Sequence, residues 1–287
     1  MSSSVRRPLP LPLLVAVAAC AADAPPVEWE PPRTTPGIAV TAPFVLATDG
    51  RVTPADTGST SPVAPDGERD AAFADSVVPR PDAAGRCAVV ERRTRDGATW
   101  RAWWRLRPDA SAVLEAAVRA PGDSVDARTL VVDTLDRAPV GCARPAPAIA
   151  VDSVNGYVHL AYWSQAVEGP GLFYAHLMDP RATRFEPPTA LVYGDLPART
   201  AIASHGDTVA IAYEDPNSAR GRIALHLSLT GGHLFEQTAR LVRVNPGQQP
   251  ASDPRVVVTG GRVVVGWRET SPRGDAVVVR AGRIVTR

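Results

Sequence analysis

Gly156-Tyr-Val-His-Leu-Ala-Tyr162 is the phrase from which this chain is built. A glycine turn leads into a short apolar run closed by an aromatic ring, the pattern of a buried or half-buried strand. The phrase returns as Gly206-Asp-Thr-Val-Ala-Ile-Ala-Tyr213 and Gly261-Arg-Val-Val-Val-Gly-Trp267, and more loosely as Ala98-Thr-Trp-Arg-Ala-Trp103. Counted from Trp103, the ring recurs after 59, 51 and 54 residues. No hairpin is that long, so the repeating unit holds several strands.

Each copy follows a short apolar strand: Cys87-Ala-Val-Val90, Ala148-Ile-Ala-Val151, Ala201-Ile-Ala203 and Val256-Val-Val258. A loop and a third strand come next, at residues 112–118, 171–177, 222–228 and 276–279, and fourth strands are expected at 130–132, 190–193, 239–243 and 283–285. Four strands per period of roughly 50 residues is the blade of a β-propeller. The fold class is therefore all-β, a propeller of four four-stranded blades over residues 85–287, with 38–47 adding an outer strand or part of a fifth blade. A helical reading fails on the Val- and Ile-rich runs and on 29 prolines, each costly inside a helix. A β-sandwich gives short strands too, but it does not predict one four-strand phrase repeated four times.

The N-terminus carries a different message. Arg6 and Arg7 precede an apolar stretch from Leu9 to Ala19, which is too short to span a bilayer and is broken by Pro10 and Pro12. Its end, Val17-Ala18-Ala19-Cys20, resembles the lipobox of bacterial lipoproteins. That resemblance implies a signal peptide over residues 1–19, a lipidated Cys20, attachment to a membrane through the lipid, and sorting to the outer membrane because Ala21 follows Cys20. An ordinary secretory signal cut among residues 18–24 is the rival. Residues 20–84, rich in Pro, Asp, Gly, Ser and Thr, read as a tether.

Composition narrows the chemistry. All 31 basic residues are arginine, so a lysine Schiff base, a phosphate-loop lysine and a Ser-Lys pair are excluded. The net charge of +1 offers no broad field for nucleic acid. In an oxidising compartment Cys87 and Cys142 are an even pair, which favours a disulfide over two buried thiols. No cofactor or metal is expected. The five histidines lack metal spacing, and calcium has no dense aspartate ladder to hold it.

The turn Ser228-Leu-Thr230-Gly-Gly232-His-Leu-Phe235 is similar to the Asp box of sialidase-like propellers, Ser-x-Asp-x-Gly-x-Thr-Trp, with Thr230 and Phe235 at two defining positions. Weaker copies lie at residues 179–185 and 119–124. The resemblance implies a ligand face opposite these turns, where strands two and three and strands four and one connect. Arg144, Arg199 and Arg255 precede three successive first strands there and could form a carboxylate clamp. Arg268, Asn217 and Trp163 complete the ligand-binding candidates. Catalytic candidates are Glu214, Asp215, Glu269 and Tyr213, as a carboxylate pair or a tyrosine nucleophile with its base. Strand alternation turns Tyr213 and Glu214 to opposite faces, and the Arg-Ile-Pro phrase of sialidases is missing. The leading expectation is a monomeric binding platform for an envelope protein or glycan, not an enzyme. A divergent sialidase-like glycoside hydrolase is the alternative.

Overall fold

The computed structural model describes residues 27–35, 44–54, 80–235, 244–247, 249–272 and 274–285. The described residues begin with four three-residue strands, β1 (Val27–Trp29), β2 (Arg33–Thr35), β3 (Phe44–Leu46) and β4 (Val52–Pro54). Four antiparallel meanders follow. Blade 1 is β5 (Arg86–Arg93), β6 (Thr99–Leu106), β7 (Ala112–Arg119) and β8 (Arg128–Asp133). Blade 2 is β9 (Ala148–Val151), β10 (Val158–Ala166), β11 (Gly169–Leu177) and β12 (Thr189–Tyr193). Blade 3 is β13 (Thr200–His205), β14 (Thr208–Glu214) and β15 (Ile223–Ser228), and blade 4 is β16 (Ala251–Thr259), β17 (Arg262–Ser271) and β18 (Gly274–Ile284).

The blades stack in chain order through their first strands: β5 touches β9, β9 touches β13, and β13 touches β16. Between each pair lies a separate core. Trp104, Tyr162 and Phe173 fill the seam of blades 1 and 2, Leu172, Tyr174, Ile211 and Tyr213 that of blades 2 and 3. Leu225, Leu227, Val256, Val265 and Trp267 fill the seam of blades 3 and 4. A single sheet has two apolar faces and no way to keep both dry, so neighbours must cover them. This arrangement is the β-propeller that the repeats predict. Tyr162, Tyr213 and Trp267 each face the preceding blade, which is why the ring recurs in sequence.

Three features differ from the sequence expectation. First, the fourth strand expected at 283–285 is not separate, because β18 runs unbroken to Ile284. Gly282, which reads as a turn in sequence, stays in the strand because Val27 and Trp29 pack over it, and a Cβ there would collide with both. Second, the outer positions of blade 4 are taken by β1 and β2, both antiparallel to β18. Residues 27–35 therefore belong to the folded domain, not to a tether. Arg280 fastens them, donating to Glu30 O at 2.9 Å and lying over the Trp29 ring.

Third, the strand expected within 38–47 forms at Phe44–Leu46 and pairs with β4 as a hairpin. Leu46 packs with Val257, Val264 and Val279 on the far face of blade 4, where a fifth blade would lie. Residues 1–26, with Cys20 and the expected signal peptide, fall outside the described residues, as does the strand expected at 239–243.

Cys87 and Cys142 are bonded, with Cα atoms 5.4 Å apart. The bridge ties the first strand of blade 1 to the segment that leads into blade 2. Closing a loop with a sequence separation of 55 stabilises the native state by roughly 4 kcal/mol in the chain-entropy model.

Candidate ligand face

Every blade starts its first strand and ends its second at one end of the stack, here the upper face. Cross-blade contacts fix this face: Thr200 Oγ1 donates to Ala161 O at 3.0 Å, and Trp104 Nε1 donates to Pro145 O at 3.0 Å. The sequence candidates all lie near this end, but most are committed to one another or to the backbone.

Arg144 is buried. Its Nη2 lies 3.1 Å from Asp136 Oδ1, in a pair whose side chains are almost wholly enclosed. The same nitrogen donates to Ala138 O at 2.8 Å, and the guanidinium sits over the Trp104 ring. Burial lowers its pKa while the Asp136 charge opposes the shift. A guanidinium held in this way anchors the loop between blades 1 and 2.

Arg255 and Arg268 share one carboxylate. Arg255 Nη1 and Arg268 Nε each lie 2.8 Å from an oxygen of Asp253, and both guanidiniums stack against Phe44 of the hairpin. Asp253 occupies a left-handed backbone conformation, φ 55°, at the irregularity where β16 shifts register against β17. Aspartate tolerates that region better than most residues, and the bend aims its carboxylate at both arginines. Its N–H donates to Glu214 Oε1 at 2.9 Å, while the Arg199 N–H reaches Glu214 Oε2 at 3.2 Å. Burial raises the Glu214 pKa, and these two backbone bonds with the Arg199 charge oppose the rise. Glu214 thus ties the starts of β13 and β16 together.

The remaining candidates separate. Tyr213 faces the seam of blades 2 and 3 and stacks on His226, ring centroids 5.0 Å apart, while Glu214 faces blade 4. Alternation along β14 therefore keeps a tyrosine from its adjacent glutamate. Asp215 Oδ1 accepts the Asn217 N–H at 3.0 Å and so closes its own turn. Glu269 Oε1 accepts from the Trp267 indole at 2.9 Å. Trp163 is buried, and its indole N–H has no partner among the described residues.

Sequence reasoning missed Asp136 and Asp253, the counterions of this face. It also missed Tyr193, which ends β12 and is exposed. Asn217 Nδ2 donates to Tyr193 O at 2.7 Å, Leu196 N donates to Pro216 O at 3.2 Å, and the Tyr193 ring lies against Gly169. Exposed Val167, Tyr193 and Leu196 thus form an apolar patch on two neighbouring loops of blade 2, braced by the blade 3 loop at Pro216 and Asn217. Exposed Glu168 and Asn217 border it.

The lower face is tied differently. Ser228 Oγ accepts the Gly232 N–H at 3.0 Å and Thr230 Oγ1 accepts the Leu234 N–H at 2.9 Å, so two hydroxyls hold the turn after β15. Gly232 has φ 93° and no room for a side chain, because the Tyr174 hydroxyl of blade 2 occupies the Cβ position. Phe235 packs edge-on against Tyr174, so the turn docks on the neighbouring blade. The Tyr174 hydroxyl also joins His159 Nδ1 at 2.7 Å and His176 Nδ1 at 3.1 Å, and Glu186 lies 3.1 Å from His176 Nε2. Burial, with some help from His176, pushes His159 down to about 3. Two grooves open on this face, of about 370 Å³ around Trp100 and Pro180 and about 550 Å³ around Phe185. Asp96 and Asp152 in the first groove bond within their own turns. Among the described residues no group of three metal-ligating side chains forms.

No protein-family model and no curated protein matches this chain. Among solved structures, it is similar to a protein of unknown function from Dyadobacter fermentans, at 13% identity and a TM-score of 0.47, over 68% of this chain and 52% of that one. An endo-arabinanase from Bacillus licheniformis aligns at 10% identity and a TM-score of 0.40, over 68% and 72% of the two chains. The Trypanosoma rangeli sialidase aligns at 8% identity and a TM-score of 0.45, over 81% and 37%. The chain thus spans about half the length of the Dyadobacter protein and just over a third of the sialidase.

Proposed function

We infer that this protein is an extracytoplasmic, lipid-anchored propeller whose upper face is a binding platform for an envelope protein or glycan. The observation that carries the reading is the division of labour on that face. Arg144, Arg255 and Arg268 are paired with Asp136 and Asp253, and Glu214 accepts two backbone N–H groups. Ion pairs at this depth set loop geometry, because pulling one partner toward a ligand would leave the other buried and uncompensated. What the face offers outward is the patch of Val167, Tyr193 and Leu196 with its polar rim. An exposed aromatic ring among aliphatic side chains, held by rigid loops, is the anatomy of an anchor site. The two-hydroxyl turn after β15, with its inter-blade aromatic Phe235, supports kinship with Asp-box propellers.

The test is a glycan array and a pull-down from envelope extract, each run with the native chain and with Tyr193→Ala. A partner retained by the native chain and lost with Tyr193→Ala supports the reading. Equal retention by both removes the patch as the site.

A second reading, glycoside hydrolysis, rests on Glu214 alone, because a carboxyl raised by burial suits a general acid. Turnover of a fluorogenic glycoside that Glu214→Gln abolishes while the fold stays intact would put that reading first.

A further inference from the structure

We propose that the lower face of the propeller lies against the bilayer, with the turn tips at Val125, Val154 and Leu234 as its shallow contacts and the Tyr193 patch directed away. The proposal rests on the lipid-anchor reading of Cys20 and adds an orientation to it. Cys20 stands seven residues before Val27, a reach of at most about 25 Å for extended chain. Val27 pairs with Ile284 at the lower end of β18, and from there the chain climbs the outer edge of blade 4. A nine-residue strand such as β10 spans roughly 30 Å. The link is therefore too short to carry the lipid from the lower end, over the outer edge, to the upper loops.

The lower turns suit this placement. Val125, Val154 and Leu234 stand 74%, 65% and 71% exposed, one on each of blades 1, 2 and 3. Their turns share a face, since Asn155 Nδ2 donates to Gly206 O at 3.3 Å and Arg128 donates to Arg181 O at 2.9 Å across successive blades. Exposed Arg181 and Arg184 stand among them beside exposed Asp179 and Glu186, so this loop sets no net charge against the headgroups. Single aliphatic tips bind lipid only weakly, but a lipid chain holding them at the surface makes their insertion intramolecular.

The test uses the full chain, purified with its native N-terminus and reconstituted in phosphatidylethanolamine/phosphatidylglycerol vesicles containing nitroxide-labelled lipid. A fluorescent amino acid replaces Leu234 in one sample and Leu196 in another, leaving the disulfide untouched. The expected result is several-fold stronger quenching at position 234 than at 196, a difference that shrinks when a Gly/Ser spacer of about 20 residues is inserted after Pro26. Equal quenching, or stronger quenching at 196, in a chain that floats with the vesicles overturns the orientation and leaves the anchor standing. A chain that fails to float, with an N-terminal peptide of unmodified mass, overturns the anchor and the orientation together.

Discussion

The seam between blades 1 and 2 and the seam between blades 3 and 4 solve the same packing problem with different chemistry. The first is aromatic and covalent: Trp104 meets Tyr162 edge-on at 5.7 Å, Phe173 stacks on Tyr162, and the Cys87–Cys142 bridge closes it from above. The last is aliphatic, with a valine-rich core, Glu214 accepting the Asp253 N–H at its upper end and β1 sealing its outer edge, while the Asp253 ion pairs turn to the far face of blade 4, against Phe44. Both bury a full blade face, so the core itself does not require either device. The extra fastening goes where the ring has an end: a bridge beside its first blade, and a borrowed strand on its last.

The sharpest way to break this comparison is to remove residues 1–35. Blade 4 then loses its outer strands and the buried Val27, and β18 becomes a long bare edge. We expect a loss of roughly 5 kcal/mol or more on the scale of large core deletions, read as collapse of the cooperative denaturation transition. An unchanged midpoint would show that the fourth blade closes without help.

Next in size, Asp253→Ala leaves two guanidiniums enclosed without their carboxylate, at a cost of about 3–5 kcal/mol. Asp136→Ala should cost as much at the other seam, through Arg144. Reducing the disulfide should cost roughly 4 kcal/mol. Hydrogen exchange should place the loosening at blades 1 and 2 in the reduced protein, and at blades 3 and 4 in Asp253→Ala. The same protection pattern in both would mean that the seams are one cooperative unit.

Acid should probe the seam between the two. His159 is neutral when folded, its pKa held at about 3, whereas the unfolded imidazole takes a proton near 6.5. The unfolded chain binds more protons in that window, so stability falls as pH drops from about 6.5 toward 3. His159→Asn should flatten that limb of a stability curve by a few kcal/mol. Glu214 gives the smallest effect and the opposite sign. Its raised pKa means that the folded state holds the proton more tightly, so its contribution weakens as pH rises through the carboxylate range and beyond. Glu214→Gln should therefore remove this pH slope, at a cost of about 1–3 kcal/mol because its amide NH2 faces one of the two N–H groups that the carboxyl accepts. A larger loss would make the charged carboxylate structurally essential.

The blades are legible in the sequence because each is local. Gly156 to Leu177 carries its own turns, its strand pattern and its ring; its third strand forms within two residues of where those signals put it, and its second starts two residues late and runs four past Tyr162. The pieces that escape notice are joined over long separations. β1 has three residues, too few to show any period, and its partner lies at the other end of the chain. Ala281-Gly282 looks like a turn until Val27 is laid across it. At the upper face the arginines are visible in sequence but their fates are not, since Glu214 meets Asp253 across 39 positions. In a chain with 31 arginines, the informative signal is the shorter list of aspartates next to bends, Asp253-Pro254-Arg255 first among them.

The borrowed strand also sets a timetable. Glu28 bonds Arg283 across 255 positions, so β1, made early in synthesis, waits for β18 before it finds its place. Pairing of such high contact order is slow, and the outer edge of blade 4 stays bare until synthesis is finished. Until then the last blade presents an unpaired strand edge, the kind of surface that neighbouring chains can add to.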